Sequence, residues 1–215
     1  MPALDFEVMG AEVLTYAAAP SLLFKLHIQN TPPEEQIQAI LLRAQIRIEA
    51  AQRTYAEEEK ARLRELFGEP GRWQETLRTL LWTHTAVSVP AFTGEYVAEL
   101  PIACTYDFDV VGAKYLYALE NGEVPLRFLF SGTVLYTREG MGLQVAQISW
   151  DKETAFRLPI RLWQETMDHY FPNSAWLRVR KDMFDRLVAF KTDHALLTWE
   201  EALDRLLARE SAREQ

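Results

Sequence analysis

Five apolar residues, Ile40, Leu42, Ala44, Ile46 and Ile48, occupy alternate positions of one short stretch. Between and after them stand Leu41, Arg43, Gln45, Arg47 and Glu49. A period of two sorts these sets onto opposite faces of a strand, whereas a helix would mix them. A slip of one residue would turn the apolar face to water, so the register is fixed by burial. Leu4–Val8 alternates in the same way, with Leu4, Phe6 and Val8 against Asp5 and Glu7. In Ser21–Gln29, Leu22, Phe24, Leu26 and Ile28 share a face. Asn30-Thr-Pro-Pro33 has turn chemistry and is expected to connect the strands on either side. Further strands are expected at Trp82–Val89, Tyr96–Leu100, Thr105–Leu119, Val124–Tyr136 and Leu143–Ser149. Asn121-Gly122 is the expected hairpin turn between the third and fourth of these. Regular crossover helices are missing from this region, so the pairing is expected to be antiparallel.

Helical signals fall in two places. The first is an insertion at about residues 54–80. Thr54 is its expected N-cap, with acids in the first turn, and Gly68-Glu-Pro-Gly71 ends the helix. A second short helix is expected over Trp73–Leu80. The other helical region follows Trp150. Leu162, Trp163, Thr166, Met167 and Tyr170 form the stripe of a helix opening at Pro159. Met183, Phe184, Leu187 and Phe190 form the stripe of the next. Thr198 and Glu201 have capping-box spacing for a third. The expected fold class is α+β: an antiparallel β-sandwich over 1–150 with a helical insertion, and a C-terminal helical subdomain over 151–210 packed on the sheet.

Composition narrows the function classes. With 48% hydrophobic residues and 12% aromatic ones, the chain can build a sizeable core and is not a disordered segment. The net charge of -8 argues against a nucleic-acid partner. Residues 1–149 carry 19 acids against 12 bases, while 150–215 carry 12 against 11, so the acidity belongs to the strand-rich part. No apolar run approaches the roughly 20 residues of a membrane-spanning helix, so no membrane insertion is expected. The N-terminal stretch lacks a basic segment and an apolar segment, so no secretory signal is expected. The single Cys104 cannot form an internal disulfide, which suits a reducing cytoplasm.

Phosphate-loop, nucleophile-elbow, HExxH and CxxC motifs are missing from the sequence. No two of His27, His84, His169 and His194 have the helical spacing of a metal clip, so a metal site would have to be assembled from distant strands; the expectation is neither metal nor cofactor. Cys104 reads as an inert buried thiol, because nearby acids would raise its pKa rather than activate it. Asp107 and Asp109 share a strand face. They suit either a cation and acid–base site or a cross-strand ladder with Arg43 and Arg47. Trp150, Asp151 and Lys152 mark the expected junction of strands and helices, with Trp150 as a packing hinge and Asp151 bonding turn amides. Arg178-Val-Arg-Lys181 is a small basic cluster suited to an acidic partner or to solvent. The six tryptophans suit a core first and an interaction face second.

Several strings then occur in series: LLRAQIRIE, LFGEPGRW, LLWTHT, VPAFTG, CTYDFDV, KYLYALENGEVPLRFLFSGTV, ISWDKE and FRLPIRLW, across residues 41–163. The series resembles an uncharacterised family of bacterial proteins associated with uptake [NiFe]-hydrogenase gene clusters. The resemblance implies an accessory role beside a hydrogenase and assigns no catalytic residue. The chain lacks the cysteine set that a nickel–iron or iron–sulfur centre requires. The expected function is a non-enzymatic cytoplasmic interaction or assembly module. Its partner would be a protein, with hydrogenase subunits implied by the resemblance. It would bind through the exposed sheet face or through a groove between sheet and helices. The alternative is a ligand-binding protein or enzyme with a pocket at the sheet–helix junction, lined by His84, Asp107, Asp109, Asp151 and Lys152. A homo-oligomer joined through sheet edges or the C-terminal helices is a third reading.

Overall fold

A computed structural model of the chain describes residues 2–105, 110–138, 140–174 and 178–211. They fall into two compact units, divided between Ala175 and Trp176.

The first unit is a sandwich of two antiparallel sheets. One sheet has the order β1 (Ala3–Val13), β2 (Ser21–Thr31), β5 (Glu95–Ala103). The other has the order β4 (Leu80–Val89), β3 (Gln36–Ile48), β6 (Glu123–Arg138), β7 (Gly142–Gln147). Its fifth strand, β8 (Glu153–Pro159), pairs with the first half of β6 on the side where β7 takes the second half. The α+β sandwich expected from sequence is the fold of this chain.

The alternation at 40–48 places its residues as expected. Ile40, Leu42, Ala44, Ile46 and Ile48 are buried in β3, while Leu41 and Arg43 are exposed. Across the sandwich, Phe6 of β1 stacks on Phe130 of β6 at 4.5 Å, and Phe24 of β2 meets Phe128 edge-on at 5.3 Å. β3 and β6 approach so closely at Gly132 that a Cβ there would lie 2.1 Å from the Leu41 carbonyl oxygen. Its φ of 146° adds a second reason why only glycine fits.

The turn at Asn30–Pro33 carries the chain between sheets rather than around a hairpin, since β2 and β3 belong to different layers. Asn30 Nδ2 donates to the carbonyls of Pro32 and Glu35 and holds that crossing. The insertion is helical, but α1 runs Glu57–Phe67 and its N-cap is Ala56, not Thr54. Ala56 has no side-chain acceptor. The Glu59 carboxylate instead accepts the Ala56 N–H at 3.1 Å, which moves the start downstream. The second helix is shorter than expected: α2 covers Trp73–Thr76, and Leu80 already opens β4.

Two elements differ in kind. Within the stretch expected to be a strand at 105–119, residues Val111–Tyr117 form helix α3, which buries Gly112, Ala113, Tyr115 and Leu116. Burial at helical spacing outweighs the β preference of Val and Tyr. Asn121-Gly122 therefore joins a helix to β6, and Gly122 still supplies the positive φ of 78°. The stretch after Trp150 opens with strand β8, and only then with helix α4 (Ile160–Tyr170). β6 has 16 residues and β7 only 6, so the first half of β6 needs another partner. The two compact units divide at 175/176. α4 belongs to the sandwich, burying Ile160, Trp163, Thr166 and Met167. Tyr170 Oη lies 2.7 Å from Leu14 O and accepts the Ala17 N–H.

In the second unit, α5 (Lys181–Asp193) and α6 (Trp199–Ser211) follow one another. Thr198 Oγ1 accepts the Glu201 N–H at 3.1 Å and the Glu201 carboxylate reaches back to the Leu197 N–H at 2.8 Å, the capping arrangement expected from sequence. Phe184 of α5 meets Trp199 of α6 at 5.5 Å between ring centres.

Candidate functional site

The residues singled out in the sequence do not all meet. His84 is exposed in the middle of β4, beside Gln45 of β3. Trp150, Asp151 and Lys152 form the turn between β7 and β8, three strands away, which is roughly 14 Å of sheet. Asp107 and Asp109 lie outside the described residues. The expected ladder partner Arg47 donates to Gln45 Oε1 at 2.9 Å. Trp150 is 92% exposed and packs no helix onto a sheet, because strand β8 follows it. Asp151 bonds the Ser149 side chain and its own backbone amide, and these bonds hold its carboxyl below the ordinary range. Lys152 Nζ reaches Asp5 Oδ1 of β1 at 2.7 Å, tying the β8 edge to the opposite sheet. Asp151 thus serves its own turn and Lys152 ties two sheets, while Trp150 stands exposed beside them.

A polar network missed in the sequence lies beneath the insertion. Arg53 and Glu59 form an ion pair at 2.7 Å with side chains 7% and 3% exposed. Arg53 also donates to the carbonyls of Glu123 (2.8 Å) and Asn121 (2.6 Å), and its Nε is buried without a hydrogen-bond partner. Burial pushes the Glu59 carboxyl up. The N–H groups of Glu120 and Ala56, together with the Arg53 charge, outweigh it and hold the group below its ordinary value. Tyr55 Oη lies 2.8 Å from Tyr115 Oη and donates to Ala50 O at 2.7 Å. Burial raises both phenols, so both stay protonated at neutral pH. An open cleft of about 590 Å³ over this network is lined by Arg53, Glu59, Asn121, Glu123 and Arg157 among others.

Glu59 accepts from Arg53 and from the N–H groups of Ala56 and Glu120, and Arg53 also donates to two carbonyls, so the network reads as a pin holding the insertion to the α3–β6 turn. Sequence offered no signal for it, since reading Thr54 as the N-cap points to Glu57 rather than Glu59, and the pairing with Arg53 arises only from tertiary folding. A second cleft of about 510 Å³ is bordered by Arg62, Tyr117, Trp163, Gln164 and Asp168. Cys104 is buried, and burial pushes its thiol up to about 12, which makes it inert. Among the described residues, no group of three or more His, Cys, Asp or Glu is placed to hold a metal ion. Nor is any helix there long and apolar enough to cross a membrane.

Exposed apolar side chains gather in two places. In the second unit, α5 has no buried residue. Met183, Phe184 and Val188 on α5 and Leu203 on α6 are each 38–41% exposed, and Leu197 before α6 is 84% exposed. The stripe was legible as Met183, Phe184, Leu187 and Phe190, but not its exposure. On the sandwich, Met141, Leu143 and Val145 at the β7 edge are 61–65% exposed. The tryptophans do not form an exposed group among the described residues: Trp73 and Trp163 are buried, and Trp150 and Trp199 lie in different units.

Together these features describe a two-layer antiparallel sandwich with a pinned helical insertion, followed by a two-helix unit. The chain belongs to the family of unknown function DUF6084, whose model matches residues 1–215. No curated protein matches the sequence. Among solved structures, one similar chain is the solution structure of a protein assigned to the late embryogenesis abundant (LEA) group, at 11% identity and a TM-score of 0.31, covering 74% of this chain and 72% of that one. A crystal structure of a Bordetella pertussis protein designated ApaA is 13% identical, with a TM-score of 0.25 and coverage of 74% and 95%. The beta-glucosidase 3B of Thermotoga neapolitana is 12% identical with a TM-score of 0.22, covering 73% of this chain and 17% of that one. At TM-scores this low, none of the three bears on what this chain does.

Proposed function

We propose that this chain is a non-catalytic interaction module of the cytoplasm, in which the sandwich is a self-sufficient scaffold and the two-helix unit docks on a protein partner. The observation that carries the reading is α5, a helix with an apolar stripe and no buried residue. A stripe of that kind is stable when another surface covers it. At the start of α5, Arg180 pairs with Asp182, and Lys181 with Asp185, beside the apolar side chains. The resemblance to a family associated with uptake hydrogenase clusters makes hydrogenase subunits the first partners to test, with this chain assisting the metalloenzyme without holding its cluster.

The test is purification of the tagged full chain from its native host, compared with a Phe184→Asp, Leu203→Asp variant, followed by direct binding to each purified co-isolated protein. The expected result is specific recovery of hydrogenase subunits by the unaltered chain, saturable binding in isolation, and loss of both in the variant. Partner recovery unaffected by the variant would contradict the docking role of the helices. Recovery of a different protein would remove the hydrogenase link while leaving the module intact.

A further inference from the structure

The β7 edge carries a separate inference. The Ile148 N–H donates to Gly132 O at 2.9 Å, which makes 148 and 132 a hydrogen-bonded pair of the antiparallel ladder. Such pairs alternate with non-bonded ones along a ladder. By the β6–β7 register, residues 142, 144 and 146 therefore direct their backbone groups at β6. Leu143, Val145 and Gln147 direct theirs outward, along the free side of β7. The same three residues are exposed. Among the described residues β7 is thus an edge with exposed apolar side chains and no strand beside it; of its outward backbone groups the Leu143 carbonyl accepts one local bond, from Gln144 Nε2 at 3.1 Å, and keeps a second lone pair.

The other edges are blunted. β1 carries Asp5, Glu7 and Glu12, and β5 carries Glu95 and Glu99. β8 is tied to β1 through Lys152 and Asp5. β4 lies against α3, where Gly112 packs on Trp82, and its Thr85 hydroxyl bonds Pro101 O of β5. Charged and covered edges are how sheets avoid pairing with other chains. β7 lacks both devices, and from Gly140 to Trp150 there is not one charged residue.

We infer that β7 pairs antiparallel with β7 of a second copy, joining the five-stranded sheets of two chains across a two-fold axis at Val145. In that register Val145 faces Val145 of the second copy and Leu143 faces Gln147. Residues 143, 145 and 147 of each strand then exchange six backbone hydrogen bonds. A two-fold interface places each residue against its own kind or its mirror pair, so any charge near the axis meets the same charge. In a chain of net charge -8, the uncharged edge is the one on which two copies can close without that repulsion. This surface is distinct from α5, and the inference does not depend on the docking role of the helices.

The test is sedimentation equilibrium of the full chain over a range of concentrations, alongside Val145→Pro and Val145→Lys. Val145→Pro removes an N–H that the chain's own ladder does not use, so the monomer fold should survive, as checked by circular dichroism. Val145→Lys sets two like charges at the axis. The expected result is a concentration-dependent dimer for the unaltered chain and single-chain mass for both variants at every concentration. A monomer throughout for the unaltered chain would overturn the inference. So would dimers of undiminished strength in both folded variants.

Discussion

In the sandwich, β2 alone holds Leu22, Phe24, Leu26 and Ile28 at zero exposure; in the two-helix unit, α5 buries none of its 13 residues. Both segments carry an apolar face readable from sequence, at period two in one and at helical spacing in the other. The difference lies in what faces them. β2 has neighbours on both sides in its sheet and a second sheet across the core, whereas a helical pair offers each helix one neighbour. Periodicity announces that a face wants cover; only topology decides whether the chain supplies it. That contrast is the physical basis on which we propose scaffold for the first unit and docking for the second.

The contrast can be attacked first at the pin beneath the insertion. Glu59→Ala leaves Arg53 charged and buried without its partner, and urea unfolding of the sandwich should show a loss of about 3–5 kcal/mol. Replacing both together, Arg53→Met with Glu59→Leu, should recover much of it. A loss well under about 1 kcal/mol in the single variant would mean that water reaches the pair and that it pins nothing.

Next comes a matched pair of truncations. Leu26→Ala should destabilise the chain by about 2–5 kcal/mol. Phe184→Ala, in a half-exposed site, should cost about 1 kcal/mol or less while weakening partner binding. Equal costs would erase the distinction between the regions.

Acid supplies a smaller effect with a definite sign. The folded Glu59 carboxyl titrates below its ordinary value of 4.5. Its contribution is therefore complete above that pH and is lost as pH falls through the folded value. Unfolding free energies measured on acidification should decline in this window, and Glu59→Gln should decline less steeply. A parallel decline in both would assign the acid sensitivity elsewhere.

The smallest effect concerns Cys104. With its thiol raised to about 12 and buried, it should react with a thiol reagent only as fast as the sandwich opens. Rapid labelling of the native chain would show that this part of the sandwich is looser than its burial indicates.

Much of the fold was legible before the structure. The alternations at 4–8, 21–29 and 40–49, the stripes of α4 and α5, and the cap at Thr198 all arise from local period and local hydrogen bonding. α3 was not legible, because Val111, Tyr115 and Tyr117 favour strands and their helix exists for the burial it achieves. β8 was not legible either, because it exists to satisfy half of a long strand elsewhere in the chain. The site residues fared according to the same rule. Asp151 could be assigned to its turn from sequence, since its partners are adjacent. Trp150 could not be placed, since its surroundings depended on β8, and the Arg53–Glu59 pin involves the distant carbonyls of Asn121 and Glu123. The exposed edge at Leu143 and Val145 was visible as a strand, but its openness required knowing which strands lie beside β6.

Hydrogen exchange of the free full-length chain tests the division of roles most directly. Amides of β2, β3 and β6 should exchange only through global unfolding, while those of α5 and α6 exchange through local opening many orders of magnitude faster. Protection of α5 as deep as that of β3, in the chain without a partner, would contradict the account, because the face assigned to docking would already be covered.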